Sequence, residues 1–203
     1  NEGLTAARNI ELNLLLNGAD YCLRMVKPSR ELNNGVIDYN SGVLVAGALL
    51  GIPEYVEWSL HGPLGFTTAL ANTIDANGRY YESSPGYAQH TRGLLLTTAQ
   101  LLRGMRLPDY PQGYNAYDDA RFRRFALEFF SALEVAGRLP EFDDGGPDRK
   151  IVTSDDWFDP GTLLAAGHFY ANSTQPATKR EALEIAFRLI GGQSEEQSRS
   201  EWD

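Results

Sequence analysis

Cysteine is nearly absent from this chain. Cys22 stands alone in 203 residues, so there is no internal disulfide and no CxxC zinc site. It lies in an apolar helical pattern and reads as a buried structural thiol. A single thiol survives in either redox environment, so cysteine usage does not fix a compartment. Basic residues are also in deficit: 18 Lys and Arg face 27 Asp and Glu, for a formal charge of -9. Phosphate binding needs clustered cations, so no nucleic-acid partner is expected. An anionic substrate has to be met by local groups. No apolar run reaches the length a bilayer demands, which excludes a membrane-spanning helix from the expectations. The first residue is Asn1, without initiator Met or signal peptide, and a trimmed or excised piece of a larger protein is expected.

Other absences concern chemistry. GxSxG, GxGxxG and P-loop patterns are missing, which argues against serine hydrolases, dinucleotide binding and nucleoside-triphosphate binding. His61 and His168 are far apart and have no companions at ligand spacing, so neither a metal nor a cofactor is expected. The stretch "EFDDGGPDRKIVTSDDWFDP" concentrates Glu141, Asp143, Asp144, Asp148, Asp155, Asp156 and Asp159. It lacks the spacing of a calcium loop and reads as a solvated acidic loop. Two of its carboxylates are also candidates for a glycosidase acid and base pair. Another loop, "RLPDYPQGYNAYDD", offers Tyr110, Tyr114 and Tyr117 either as a sugar or peptide surface or as packing aromatics.

What is present is helical periodicity. Apolar residues recur every three and four positions, with no sustained strand alternation, which predicts an all-α chain of antiparallel helical hairpins. Helices are expected at 4–26, 38–50, 53–75, 84–104, 117–136, 160–171 and 177–191, separated by loops rich in Pro, Gly, Asn and Asp. The cadence resembles part of a toroid or solenoid over residues 1–191, followed by a polar tail or cut linker at 192–203. If successive helices alternate direction, the loops at 27–37, 76–83 and 137–159 share one end. That end collects Asn33, Asn34, Arg79, Tyr80, Tyr81, Glu82 and Trp157.

The stretch "NGRYYESSPGYAQHTRG" carries the chemistry. Ser84 is a candidate N-cap and Pro85 fits the first helical position. Tyr87 then sits in the first turn, and His90, three residues on, faces roughly the same way. A phenol and an imidazole on one face can address one ligand; both residue types are equally at home as packing groups. Arg79, Arg92 and Arg30 are candidate partners for an anionic chain or ordinary surface cations. Tyr80, Tyr81 and Trp157 are flat surfaces for sugar rings or buried aromatics.

The order "NGRYYESSPGY" followed by a long aliphatic helix resembles the "DG-aromatic-x-E-x-S-x-x-Y" passage of the heparinase II/III-like and alginate-lyase polysaccharide lyases. The upstream run "NNGVIDYNSGVLVAGALLGIPE" looks like their Asn-bearing loop and helix, and "GRLPEFDDG" is similar to their "P-x-x-x-D" loop. The likeness covers about residues 30 to 145. It implies an incomplete α/α toroid that packs on a β-sandwich domain missing from this chain. It also implies β-elimination of a uronic-acid polysaccharide in the periplasm or outside the cell.

By the same resemblance Tyr87 is the catalytic acid or base and Asn34, or else Asn33, is the carboxylate partner. Asn40 is a further contender, and His90 stands near the place of a family histidine. Ala88 occupies the position where His often follows the tyrosine, and Gly35 follows Asn34. The family's other catalytic His belongs to the β-sandwich, so activity is expected of the full-length form. The rival expectations are a glycan-binding or interaction module without catalysis and an α/α-toroid glycoside hydrolase.

Overall fold

A computed structural model describes residues 2–82, 84–107, 109–130 and 160–202. Helix accounts for most of them, and among the described residues there is no strand, only an isolated antiparallel bridge between Ile74 and Tyr80. The all-α expectation is borne out. The chain divides into two compact units, Asn1–Thr73 with Gly93–Tyr114, and Ile74–Arg92 with Asn115–Asp203.

In the first unit, α1 (Glu2–Asn9), a π-helical segment (Ile10–Leu16) and α2 (Asn17–Val26) follow one another without a break, where one helix over 4–26 is expected. Next comes α3 (Asn34–Leu50), which begins four residues before its expected start. The reason is local: Asn33 is extended, and its Oδ1 accepts the Val36 N–H at 3.0 Å, the bond by which Asn caps a helix. At the other end Gly51 takes φ +65°, a left-handed geometry that glycine adopts without a Cβ clash. Pro53 then opens α4 (Pro53–His61).

The helix expected over 53–75 is two helices, α4 and α5 (Phe66–Thr73). The break falls at Gly62-Pro63-Leu64-Gly65, where the chain turns too closely for side chains: a Cβ on Gly62 would lie 2.4 Å from the Trp58 carbonyl oxygen. The extra break removes the premise of one helix between the expected loops. Counting alone therefore no longer assigns the 27–37 and 76–83 loops to one end.

Val36, Ile37, Val43, Leu44 and Ala46 of α3 are buried with Val56, Leu60, Phe66, Ala69 and Leu70. Each large apolar side chain so buried contributes about 1.5–3 kcal/mol. Polar bonds fix the register of these helices. Asn40 Nδ2 donates to the Leu64 carbonyl at 2.6 Å, Ser59 Oγ donates to the Asn40 carbonyl at 3.2 Å, and Ser41 pairs with Thr98 at 3.0 Å. Tyr55 donates to Asp20 Oδ1 at 2.9 Å, joining α4 to α2. Cys22 is half-buried, more open than the sequence pattern indicates; burial raises its thiol pKa, with Asp38 adding to the shift.

The division between units falls within α6 (Pro85–Arg103), whose first eight residues belong to the second unit. That unit continues with a 3-10 turn (Ala116–Asp118), α7 (Ala120–Arg123), a π-helical segment (Arg124–Phe129), α8 (Pro160–Asn172) and α9 (Pro176–Trp202). The last helix takes in the stretch expected as a tail, because "QSEEQSRSEW" holds no Gly or Pro to stop it and is rich in helix-forming Glu, Gln and Arg. Expected helical residues 131–136 lie outside the described residues, as does the acidic loop with its candidate glycosidase pair.

Aromatic rings form the core of this unit. Tyr117, Phe122, Phe125, Phe130 and Phe169 are all fully buried, with neighbouring ring centres such as Tyr117 and Phe169 5.2 Å apart. Asp118 ties the 3-10 turn to the α8–α9 connection. Its carboxylate accepts Ser173 Oγ at 2.7 Å, the Thr174 N–H at 2.8 Å, Thr174 Oγ1 at 2.7 Å and Asn115 Nδ2 at 3.0 Å. Burial by itself would raise the Asp118 pKa, but the bonds from Thr174, Ser173 and Asn115 outweigh it and the net shift is downward.

A carboxyl whose folded pKa is depressed stabilises the fold above its unfolded pKa, about 3.9 for Asp, and loses that contribution as pH falls through the folded value. Asp118→Ala is therefore expected to lower stability by about 2 kcal/mol at neutral pH. In urea titrations the gap between variant and wild type should narrow as pH falls below about 4.

Candidate functional site

The segment from Ile74 to Tyr87 is built as a rigid turn followed by a helix start. Ile74 bridges to Tyr80, and the Asp75 N–H donates to the Arg79 carbonyl at 3.0 Å. Asp75 Oδ1 accepts the N–H groups of Asn77 at 2.8 Å and Arg79 at 2.9 Å, the local bonding that makes Asp a turn former. Gly78 has φ +81° and lies against the backbone of Arg124, where an added Cβ would come within 2.7 Å of the carbonyl carbon. Arg124 Nη1 donates to the Ala76 carbonyl at 2.7 Å. The Asn-Gly of the sequence is thus a turn that only glycine fits, clamped to the π-helical segment.

Beyond the turn, Tyr80 and Tyr81 diverge. Tyr80 is 4% exposed, its ring 5.8 Å from that of Phe125. Tyr81 is 53% exposed, its ring 5.1 Å from Tyr80 and inclined at 61°. Both phenols donate to the same oxygen, Glu82 Oε1, at 3.2 Å from Tyr80 and 3.0 Å from Tyr81. Burial pushes the Tyr80 phenol well above its ordinary pKa; Glu82 and Tyr81 add to the rise, and the Thr91 hydroxyl acts against it. Tyr80 is therefore an anchoring group and not a base. Its expected role as a substrate surface is corrected, because its ring is inside the core.

The start of α6 follows the expected pattern. Ser84 is buried and its carbonyl accepts the Ala88 N–H at 3.0 Å, which places it at the N-cap with Pro85 next. Ala88, Thr91, Arg92, Leu95 and Ala99 are buried. They form the inner stripe of the helix at spacings of three and four. Tyr87, 40% exposed, and His90 fall off that stripe and face outward. Neither has a hydrogen-bond partner among the described residues, so the phenol and imidazole are both open to a ligand.

Arg92 is not a partner for an anionic chain. It is 1% exposed, its guanidinium carbon is 3.7 Å from the Phe130 ring centre, and Nη1 donates to Thr162 Oγ1 at 2.7 Å. A guanidinium stacks on an aromatic face through cation–π attraction and its own planar shape. Arg79 and Arg30 are exposed.

The three asparagines lie in the first unit. Asn34, the first residue of α3, is half-buried. Asn33 commits Oδ1 to the cap of the same helix. Asn40 is 5% exposed inside the core, its Nδ2 committed to Leu64, so its expected contact with substrate is corrected: burial removes it from any polymer. Asn40 also lines a small, mostly apolar cavity with Ser41, Thr98, Ile37, Phe66 and Leu95. Trp157 lies outside the described residues. The structure thus gathers Tyr80, Tyr81 and Glu82 by direct bonds and presents Tyr87 and His90 on one helix face.

Sequence reasoning offered Tyr110 and Tyr114 as packing aromatics but did not anticipate the partner of His61 or the pairing of Arg123. His61 stacks on Tyr110 at 5.8 Å, and the Tyr110 ring lies 5.1 Å from Tyr114. Arg123 bridges Glu128 at 2.8 Å and also pairs with Glu181. The Arg-Glu spacing of five residues gave no helical pairing signal, because it belongs to a π-helical turn. Among the described residues no group of His, Cys, Asp and Glu could hold a metal ion, and no helix is long and apolar enough to cross a membrane.

No family model, curated protein or solved structure matches the chain.

The buried and exposed groups of α6 should separate in a stability test. Arg92→Ala is expected to cost about 3 kcal/mol by emptying a packed site, and Arg92→Met less, since an unbranched apolar chain refills part of it. Tyr87→Phe should stay within about 0.5 kcal/mol of wild type. Denaturant unfolding of the three variants checks this ordering.

Proposed function

We propose that the protein is a polysaccharide lyase-like domain, part of an α/α toroid, that cleaves a uronic-acid polysaccharide by β-elimination. In this reading Tyr87 is the group that moves the proton. The observation that carries it is the open phenol of Tyr87, fixed in the first turn of a helix whose opposite face is fully buried. The motif resemblance supplies the chemistry, and the exposure of His90 and Arg79 is in keeping with an anionic ligand.

The reaction removes the proton at C5 of a uronate and breaks the bond between C4 and the glycosidic oxygen. A C4–C5 double bond forms, the electron pair leaves with the oxygen, and that oxygen takes up a proton. A phenol suits both proton transfers if it gives up its own proton first, because the same oxygen then accepts one from carbon and returns one to the leaving group. The carbanion stage spreads charge onto the uronate carboxylate, so a hydrogen-bond donor to that carboxylate stabilises it. The resemblance gives that role to Asn34, whose amide has the required donor.

The test is ultraviolet absorbance of the unsaturated product, across a panel of uronate polysaccharides. Tyr87→Phe should lower kcat at least a hundredfold while leaving the unfolding midpoint unchanged, as expected for loss of general acid–base help. Asn34→Ala should lower kcat more than it raises KM. New reducing ends without absorbance would replace this reading by hydrolysis. Glycan binding without either product would replace it by a binding module.

A further inference from the structure

Tyr81 is the one residue of the 79–82 group whose exposure and rigidity do not fit ordinary packing. A tyrosine that serves the core buries its ring, and a surface tyrosine without tethers samples several rotamers. Tyr81 does neither. More than half of its surface is open, yet its ring centre lies 5.1 Å from that of Tyr80 and its hydroxyl donates to Glu82 Oε1 at 3.0 Å. The tether is itself anchored. Glu82 Oε1 also receives the Tyr80 phenol, Tyr80 rests on Phe125, and the turn before it is clamped to Arg124.

We propose that Tyr81, locked by Glu82 against Tyr80, is a stacking platform for one pyranose ring of the polysaccharide. The identity of the ligand rests on the lyase reading; the platform rests on the geometry. A pyranose has flat faces of C–H groups that lie well on an aromatic ring, and its hydroxyls stay at the rim in water. An aromatic ring already fixed before binding spares the ordering cost that a mobile side chain would add. The Tyr81 hydroxyl is engaged by Glu82, and more than half of the side chain stays exposed. Glu82 is then a positioning residue. It acts on the sugar through the tyrosine, and its Oε1 accepts from both phenols.

The experiment is calorimetric binding of a saturated tetrasaccharide of 1,4-linked uronate and of a neutral 1,4-linked glucose tetramer. It uses the protein carrying Tyr87→Phe so that binding is read without turnover. In that background Tyr81→Ala and Tyr81→Leu should each weaken uronate binding about tenfold, since Leu keeps apolar bulk but not the flat ring. Tyr81→Phe and Glu82→Gln should weaken it about threefold, because the ring remains and its tether is lost or reduced. Thermal melts confirm that each variant is folded.

Equal affinity of Tyr81→Leu and its parent for the uronate would overturn the platform and leave the lyase reading standing. Binding that depends on Tyr81 in a protein that makes no unsaturated product would support the platform and remove the lyase reading. Failure to bind either tetramer would overturn the platform.

Discussion

Burial of Arg92 under the Phe130 ring is the constraint on which the candidate site depends. A guanidinium taken out of water is costly unless its donors and its face are both used. Here Nη1 is bonded to Thr162 and the plane meets an aromatic ring. That arrangement sets the rotation of α6 in the second unit. Ala88 and Thr91 must face inward with Arg92, and Tyr87 and His90 must face out. The chemistry proposed for Tyr87 follows from where the helix is forced to bury its only charged inner residue.

A second constraint acts on the turn before this helix. Gly78 has to approach the Arg124 backbone, so the chain reverses tightly and delivers Tyr80 to the core and Tyr81 to the surface. One carboxylate, Glu82, then joins the two rings. Adjacent residues in an extended stretch point to opposite sides, and here that alternation divides anchoring from display. Structure and proposed function meet at this point: the buried tyrosine packs in the core, and the exposed one is the contact proposed for the sugar.

Much of this was legible in the sequence and some was not. The Ser-Pro start of α6 and the Tyr87 and His90 spacing carried their own signals, because capping and helical period are local properties. Asn33 was legible as a loop residue, yet its capping of α3 set the helix start four residues earlier than the apolar pattern alone indicated. Gly62-Pro63 marked a break that the apolar period of α4 and α5 concealed. The fates of Arg92 and Asn40 were not readable, since an Arg or Asn in a helical pattern looks the same whether a ring from a distant segment covers it or water does. Arg123 with Glu128 was hidden for a related reason: π-helical turns shift the spacing at which side chains meet.

The central claim is that a proton leaves C5 of a uronate, and the most direct measurement follows that atom. The protein would be incubated with a uronate polysaccharide deuterated at C5, and products read by nuclear magnetic resonance and mass spectrometry. Elimination predicts that deuterium is lost from every cleaved residue, that a vinyl proton signal appears at C4, and that the rate falls relative to the undeuterated polymer. Cleavage that leaves the deuterium on C5 would contradict it.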